Sequence, residues 1–293
     1  MTAEAQLDRH SVTFAQAEGA VPLPAPLKPK ELSLELRNRL WVTLYSKLKE
    51  NSRTSSAFYG RRLVEPWSNY MMAVHVVHFV KPIDEFSADF DEWVEVLKKI
   101  IFNGDYVDVL GLLQFMVRLH GPTDNFVGAV DAALKYFKAA YTLVDGRTFF
   151  PVASSEEGEA VIRALDALAR AEYGGARAHL MKAGELFNAG DNAGAVRESI
   201  HAVEALARSM EPTATTLGPA LTKLEKAGKL HPALKSAFSS LYGYTSDEEG
   251  VRHALVEKEA PAVEPAEALF MIGACASFTT YLIGKGQAAG ILK

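Results

Sequence analysis

The sequence predicts a mainly α protein: an N-terminal helical part carrying a small β-hairpin, then an all-helical bundle. Three observations lead there. Apolar residues recur at helical spacing in the long segments, most plainly Leu36, Leu40, Leu44 and Leu48. An Asp145-Gly146 pair between short β-prone runs marks a tight hairpin turn of type I′. Beyond Glu156 the strand signals stop and helix signals dominate.

Residues 1–30 read as an extended arm, because Pro22, Pro24, Pro26 and Pro29 disfavour helix. A first domain is expected over 31–153 and a second over 154–293. Ser33–Glu50 is a helix with Ser33 as N-cap; Trp41 and Tyr45 lie beside the leucine stripe. Asn51–Glu65 is polar, contains Gly60 and reads as a loop. Pro66–Val80 is too long an apolar run for an ordinary strand and is assigned as helix. His75 and His78 stand there at i, i+3, a spacing that can share a metal. No third ligand accompanies them, so no metal is expected. Asp89–Phe102, Asp105–His120 and Thr123–Leu143 follow as helices, separated by Gly104 and by Gly121-Pro122. The hairpin occupies Thr142–Ala153. Helices are then expected at Glu156–Glu172, Arg177–Asn188, Asp191–Met210, Leu217–Ala227, Pro232–Tyr242 and Pro265–Gly284, with an acidic turn at Ser246–Gly250.

The chain has 293 residues, of which 48% are hydrophobic and 23% charged, which suits a packed core and excludes global disorder. A formal charge of −5 argues against indiscriminate nucleic-acid binding by the whole surface. The charge is uneven: Leu27–Glu65 holds nine Lys/Arg against four Asp/Glu. A solvated helix and loop is the plain reading of that run, and a phosphate-facing patch the functional one. The lone cysteine, Cys275, sits in an apolar segment without a positive neighbour, so a structural thiol is expected. No zinc spacing, phosphate-binding loop or dinucleotide fingerprint occurs. A lone cysteine makes no internal disulfide, which fits the cytoplasm, and the first ~20 residues show no signal peptide. Ala266–Ile283 is apolar enough to raise a membrane span, but Glu267, Ser277, Thr279 and Thr280 favour a buried bundle helix.

The candidate site centres on Asp191–Met210. Val196, Ile200, Val203, Leu206, Ala207 and Met210 make an apolar stripe, and Arg197, His201, Glu204 and Arg208 a polar one beside it. Asp247–Leu255 (DEEGVRHAL) precedes the last helix. If the two segments meet, Arg197, Glu198, His201, Arg252 and His253 share one pocket and are the candidate catalytic residues. The alternative is structural: Glu198 and Arg252 would tie the two helices together as an ion pair.

Phe14–Gly19 (FAQAEG), Glu31–Tyr45 (ELSLELRNRLWVTLY) and Tyr141–Glu159 (YTLVDGRTFFPVASSEEGE) resemble the N-terminal domain of abortive-infection proteins of the AbiJ type. Arg197–Leu206 (RESIHAVEAL) and Gly250–Leu255 (GVRHAL) resemble a HEPN-type helical domain. Those resemblances imply a defence protein and a metal-independent endoribonuclease that needs no cofactor. RNA supplies its own nucleophile, an imidazole moves the proton and a guanidinium meets the phosphoryl charge. They also imply a homodimer through the bundle, RNA or a nucleotide as ligand, and no membrane. HEPN ribonucleases separate their arginine and histidine by several residues. Here Arg252 and His253 are adjacent and diverge by about 100° on a helix. That spacing favours the alternative, a non-catalytic bundle that binds nucleic acid or nucleotide or serves as a dimer scaffold.

Overall fold

The computed structural model describes residues 14–22, 25–55, 58–121, 124–169, 173–213, 216–247 and 263–292. It is mainly helical, with two small antiparallel hairpins. The first half comprises α1 (Phe14–Ala17), α2 (Leu34–Glu50), β1 (Ser52–Ser55), β2 (Phe58–Leu63), α3 (Trp67–Ala73), α4 (Phe90–Asn103), α5 (Tyr106–Leu119) and α6 (Asn125–Tyr136). The hairpin β3 (Tyr141–Val144) and β4 (Thr148–Pro151) follows. The second half comprises α7 (Ser155–Leu168), α8 (Gly174–Asn188), α9 (Asn192–Met210), α10 (Leu217–Lys226), α11 (Pro232–Asp247) and α12 (Pro265–Ala288).

Helix α2 forms as its pattern dictates. Ser33 accepts a hydrogen bond from the Leu36 backbone N–H, and Leu36, Leu40, Leu44 and Leu48 are fully buried. Arg37 is structural: its Nη1 donates to the Ile101 and Gly104 carbonyls at 2.6 and 2.9 Å, capping the end of α4. Arg61, from the same basic run, lies over the Phe90 ring at 4.9 Å and donates to the Lys49 carbonyl.

Four expectations need correction. The arm read as extended over 1–30 contains the short helix α1 at Phe14–Ala17. The segment read as a loop at 51–65 contains the β1–β2 hairpin. Its strands carry Arg53, Arg61 and Arg62 and no run of alternating apolar residues. Arg53 even stands opposite Arg62, a like-charge pairing that weakens a ribbon. Backbone bonds hold it in place, from Leu63 N–H to the Ala88 carbonyl and from Val64 N–H to the Asn51 carbonyl, both 2.8 Å. The helix expected over 66–80 changes pitch: Val74–His78 is π-helical and Val80 ends it at φ +53°. A β-branched residue there is strained. The helix expected to reach Leu143 stops at Tyr136, where Lys138 turns the chain at φ +47°. The apolar run beyond it is strand β3.

The β3–β4 turn matches its sequence. Asp145 and Gly146 both have positive φ, +54° and +63°, and Arg147 N–H donates to the Val144 carbonyl at 2.9 Å. Almost every residue of its two strands is buried, because both faces of the ribbon are covered. Tyr141, Leu143 and Phe149 join the apolar core of the first half, with the α2 leucines, Trp67, Leu113 and Phe126. Val144, Phe150 and Val152 join a second core built from α7, α8, α9, α10 and α12. The period of two along a strand makes this sharing possible.

In the second core α12 is the long apolar helix. Among the described residues it alone is long and apolar enough to cross a membrane, yet 61% of its most apolar window is buried inside the protein. Cys275 is buried on it, and burial pushes its thiol up to about 12, which leaves it unreactive. Gly273 lets α12 approach α7 closely: a Cβ there would stand 2.7 Å from Glu157 Oε1. Glu157 Oε2 accepts from Ala153 N–H at 3.1 Å, while Oε1 is buried without a hydrogen-bond partner among the described residues. Burial therefore raises this carboxyl above its ordinary value. The folded-state value lies above the unfolded one. Protonation thus favours the fold, and stability from this group is lost as pH rises through the folded value. Glu157→Gln is expected to raise the urea midpoint at pH 8. At a pH below the ordinary carboxylate range the gain should vanish; an equal shift at both pH values would contradict the assignment.

Candidate functional site

Helices α8 and α9 form a tight antiparallel hairpin. Gly190, at φ +85°, ends α8, and Asp191 N–H donates back to the Leu186 carbonyl at 2.9 Å. The same Asp191 then caps α9 by accepting from Gly194 N–H at 2.7 Å. The stripe Val196, Ile200, Val203, Leu206, Ala207 and Met210 is buried as its spacing requires. The polar stripe beside it is left at the surface of the bundle. Its Glu204 accepts a hydrogen bond from Tyr242 of α11.

The turn sets which residues of α8 and α9 face each other. His179 lies 11 residues before Gly190 and His201 lies 11 after it. They meet across the hairpin: their rings stand edge to face at 5.4 Å between centroids. Glu198, one turn before His201, sits between them. His179 Nδ1 is 2.6 Å from Glu198 Oε2, and His201 Nδ1 is 3.7 Å from Glu198 Oε1. The carboxylate is the most covered of the three, at 24% exposure, against 40% and 47% for the two imidazoles. With Nδ1 turned to the carboxylate as N–H, the Nε2 lone pair of His179 is the one left for other chemistry.

Two anchors hold α8 on either side of His179. Arg177 pairs with Asp145 in the β3–β4 turn. Gly184 receives the Phe150 ring so closely that a Cβ would fall 2.5 Å from its Cε2. Both partners belong to the hairpin shared by the two cores.

Of the five expected site residues, the structure brings Glu198 and His201 together. Arg197 is half-buried on α9 and engaged in an interaction of its own. Arg252 and His253 lie outside the described residues, so the expected pocket between Asp191–Met210 and Asp247–Leu255 does too. Among the described residues, Glu198 has His179 as a close partner. The sequence reading missed His179. Its equal distance from Gly190 was the available signal, since an αα-hairpin pairs residues symmetrically about its turn.

His75 and His78 each have neighbours of their own. His75 is buried with Nε2 2.9 Å from the Pro82 carbonyl, and His78 packs on Phe79 and Phe115, where burial lowers its basicity. Among the described residues, His179, Glu198 and His201 are the one group of three metal-type side chains with donor atoms mutually within 4.8 Å.

Residues 13–167 match the family model described as AbiJ N-terminal domain 4. No curated protein and no solved structure matches the chain. The matched region runs past the β3–β4 hairpin through most of α7, whose buried Val161 and Leu165 lie in the second core.

Proposed function

The chain belongs to the family of the AbiJ N-terminal domain 4, which carries an association with abortive infection, and from that premise we propose that its second half is a HEPN-like, metal-independent endoribonuclease acting in cytoplasmic defence. The observation that supports this reading is the pair of imidazoles, His179 and His201, flanking one carboxylate on an open face of the bundle.

Cleavage of RNA by transesterification needs a base and an acid. One imidazole Nε2 takes the proton of the 2′-hydroxyl. The 2′-oxygen bonds to phosphorus, the bond from phosphorus to the 5′-oxygen breaks, and the second imidazole, protonated, gives that oxygen its proton. The products are a 2′,3′-cyclic phosphate and a 5′-hydroxyl. Glu198 is a positioning residue, which fixes the tautomer and ring orientation of His179. A guanidinium meets the charge on the phosphoryl oxygens, with Arg197 and Arg252 as the candidates. Two chains joined through the bundle would place two such sites on one RNA.

The test is incubation of the purified full chain with single-stranded RNA in excess chelator. Cleavage to cyclic-phosphate ends is expected. RNA that stays intact at high protein concentration removes the catalytic reading. RNA retained on the protein without cleavage would favour a HEPN-like binding module. His253→Ala belongs in the same assay, because its loss of activity would bring the segment before α12 into the site.

A further inference from the structure

We propose that His179, Glu198 and His201 also form a binding site for a divalent transition-metal ion of the zinc class. The donor set is two imidazoles and one carboxylate, which suits Zn²⁺, Co²⁺ or Ni²⁺ rather than Mg²⁺ or Ca²⁺. One donor atom from each side chain already lies within 4.8 Å of the others. Around a tetrahedral ion with bonds of about 2.0–2.1 Å, such atoms stand about 3.3 Å apart. His179 Nδ1 stands 2.6 Å from Glu198 Oε2 and His201 Nδ1 3.7 Å from Oε1, one distance shorter and one longer than that spacing. Small side-chain rotations on two helices locked by a three-residue turn complete the site. Three protein ligands leave a fourth position open to solvent.

The site is built on rigid elements. Asp191 and Gly190 fix the α8–α9 register, and the Phe150 and Asp145 contacts hold α8 in place. Metal binding here competes with the cleavage chemistry but does not rest on it. An ion held by Nδ1 displaces the Nδ1 proton to solvent and obliges the neutral ring to carry its proton on Nε2. That nitrogen can then no longer accept the proton of a 2′-hydroxyl, so the metal-loaded form is expected to be inactive.

The experiment is titration of chelator-treated, tag-free full chain with Co²⁺ and, separately, Zn²⁺, followed by calorimetry and by the visible absorption of bound Co²⁺. One ion per chain is expected, with the absorption of a four-coordinate site and no competition from Mg²⁺. Loss of a second-shell group already costs about 10–100-fold in metal affinity, so His179→Gln or His201→Gln should weaken binding by at least that factor. Both imidazoles are part-exposed, and matched circular dichroism melts confirm that the variants fold. Absence of saturable Co²⁺ binding overturns the proposal, as does full affinity in the double variant. Chelator-resistant RNA cleavage without Co²⁺ binding overturns only the metal site; Co²⁺ binding by a chain that leaves RNA intact in excess chelator overturns only the cleavage reading.

Discussion

Phe150→Ala is expected to lower the stability of the chain by about 3–5 kcal/mol, the range for removing a buried aromatic ring. Phe150 is fully buried, and its ring lies against the bare backbone of Gly184 on α8. Truncation leaves a cavity between the hairpin and the bundle, where a rigid sheet and a packed helix close poorly. The complementary change isolates the contact. Gly184→Ala in the natural background pushes a methyl into the ring and should cost about 1–3 kcal/mol as overpacking. In the Phe150→Ala background the same methyl enters empty space, and alanine favours helix over glycine by about 1 kcal/mol. Gly184→Ala should therefore change sign, from destabilising to stabilising. Urea denaturation of the four proteins reads this coupling. Additive effects would show that Phe150 and Gly184 do not pack as described.

Replacing either imidazole by alanine is expected to reduce chelator-resistant RNA cleavage by about 10²–10⁴-fold, the usual worth of one positioned acid or base. The two losses should not add, because the histidines act in one reaction on one phosphodiester. His179→Ala and His201→Ala should leave RNA affinity within a fewfold of the natural chain, so that kcat falls and KM holds. Glu198→Gln acts through the histidines. It should lower kcat by less than either histidine change and leave RNA binding intact. If His201→Ala cuts RNA as fast as the natural chain, the imidazole pair has no part in the reaction.

The sequence was informative where one local rule decided the structure. Ser33 and four leucines specify α2; Asp191 and a six-residue stripe specify α9; Asp145-Gly146 specifies a hairpin. Each of these signals lies within a few residues of what it determines. The β1–β2 hairpin was not legible, because its strands carry arginines where alternating apolar residues would have announced it. The end of α6 is not legible because Ala139–Val144 is apolar enough for helix or strand, and only tertiary burial on both faces selects strand. For the site, Glu198 and His201 were found on one helix, where spacing reveals neighbours. His179 comes from the facing helix and becomes a neighbour only when the α8–α9 turn closes.

The β3–β4 ribbon grips α8 at Arg177 and again at Gly184, with His179 between the two grips. Its opposite face is set among the α2 leucines and Phe126. There is consequently no slack joint at this crossing. A substitution that shifts the ribbon is therefore expected to shift the stretch of helix that presents His179 to Glu198 as well. The placement of His179 thus depends on how the ribbon's side chains fit the two cores that share it.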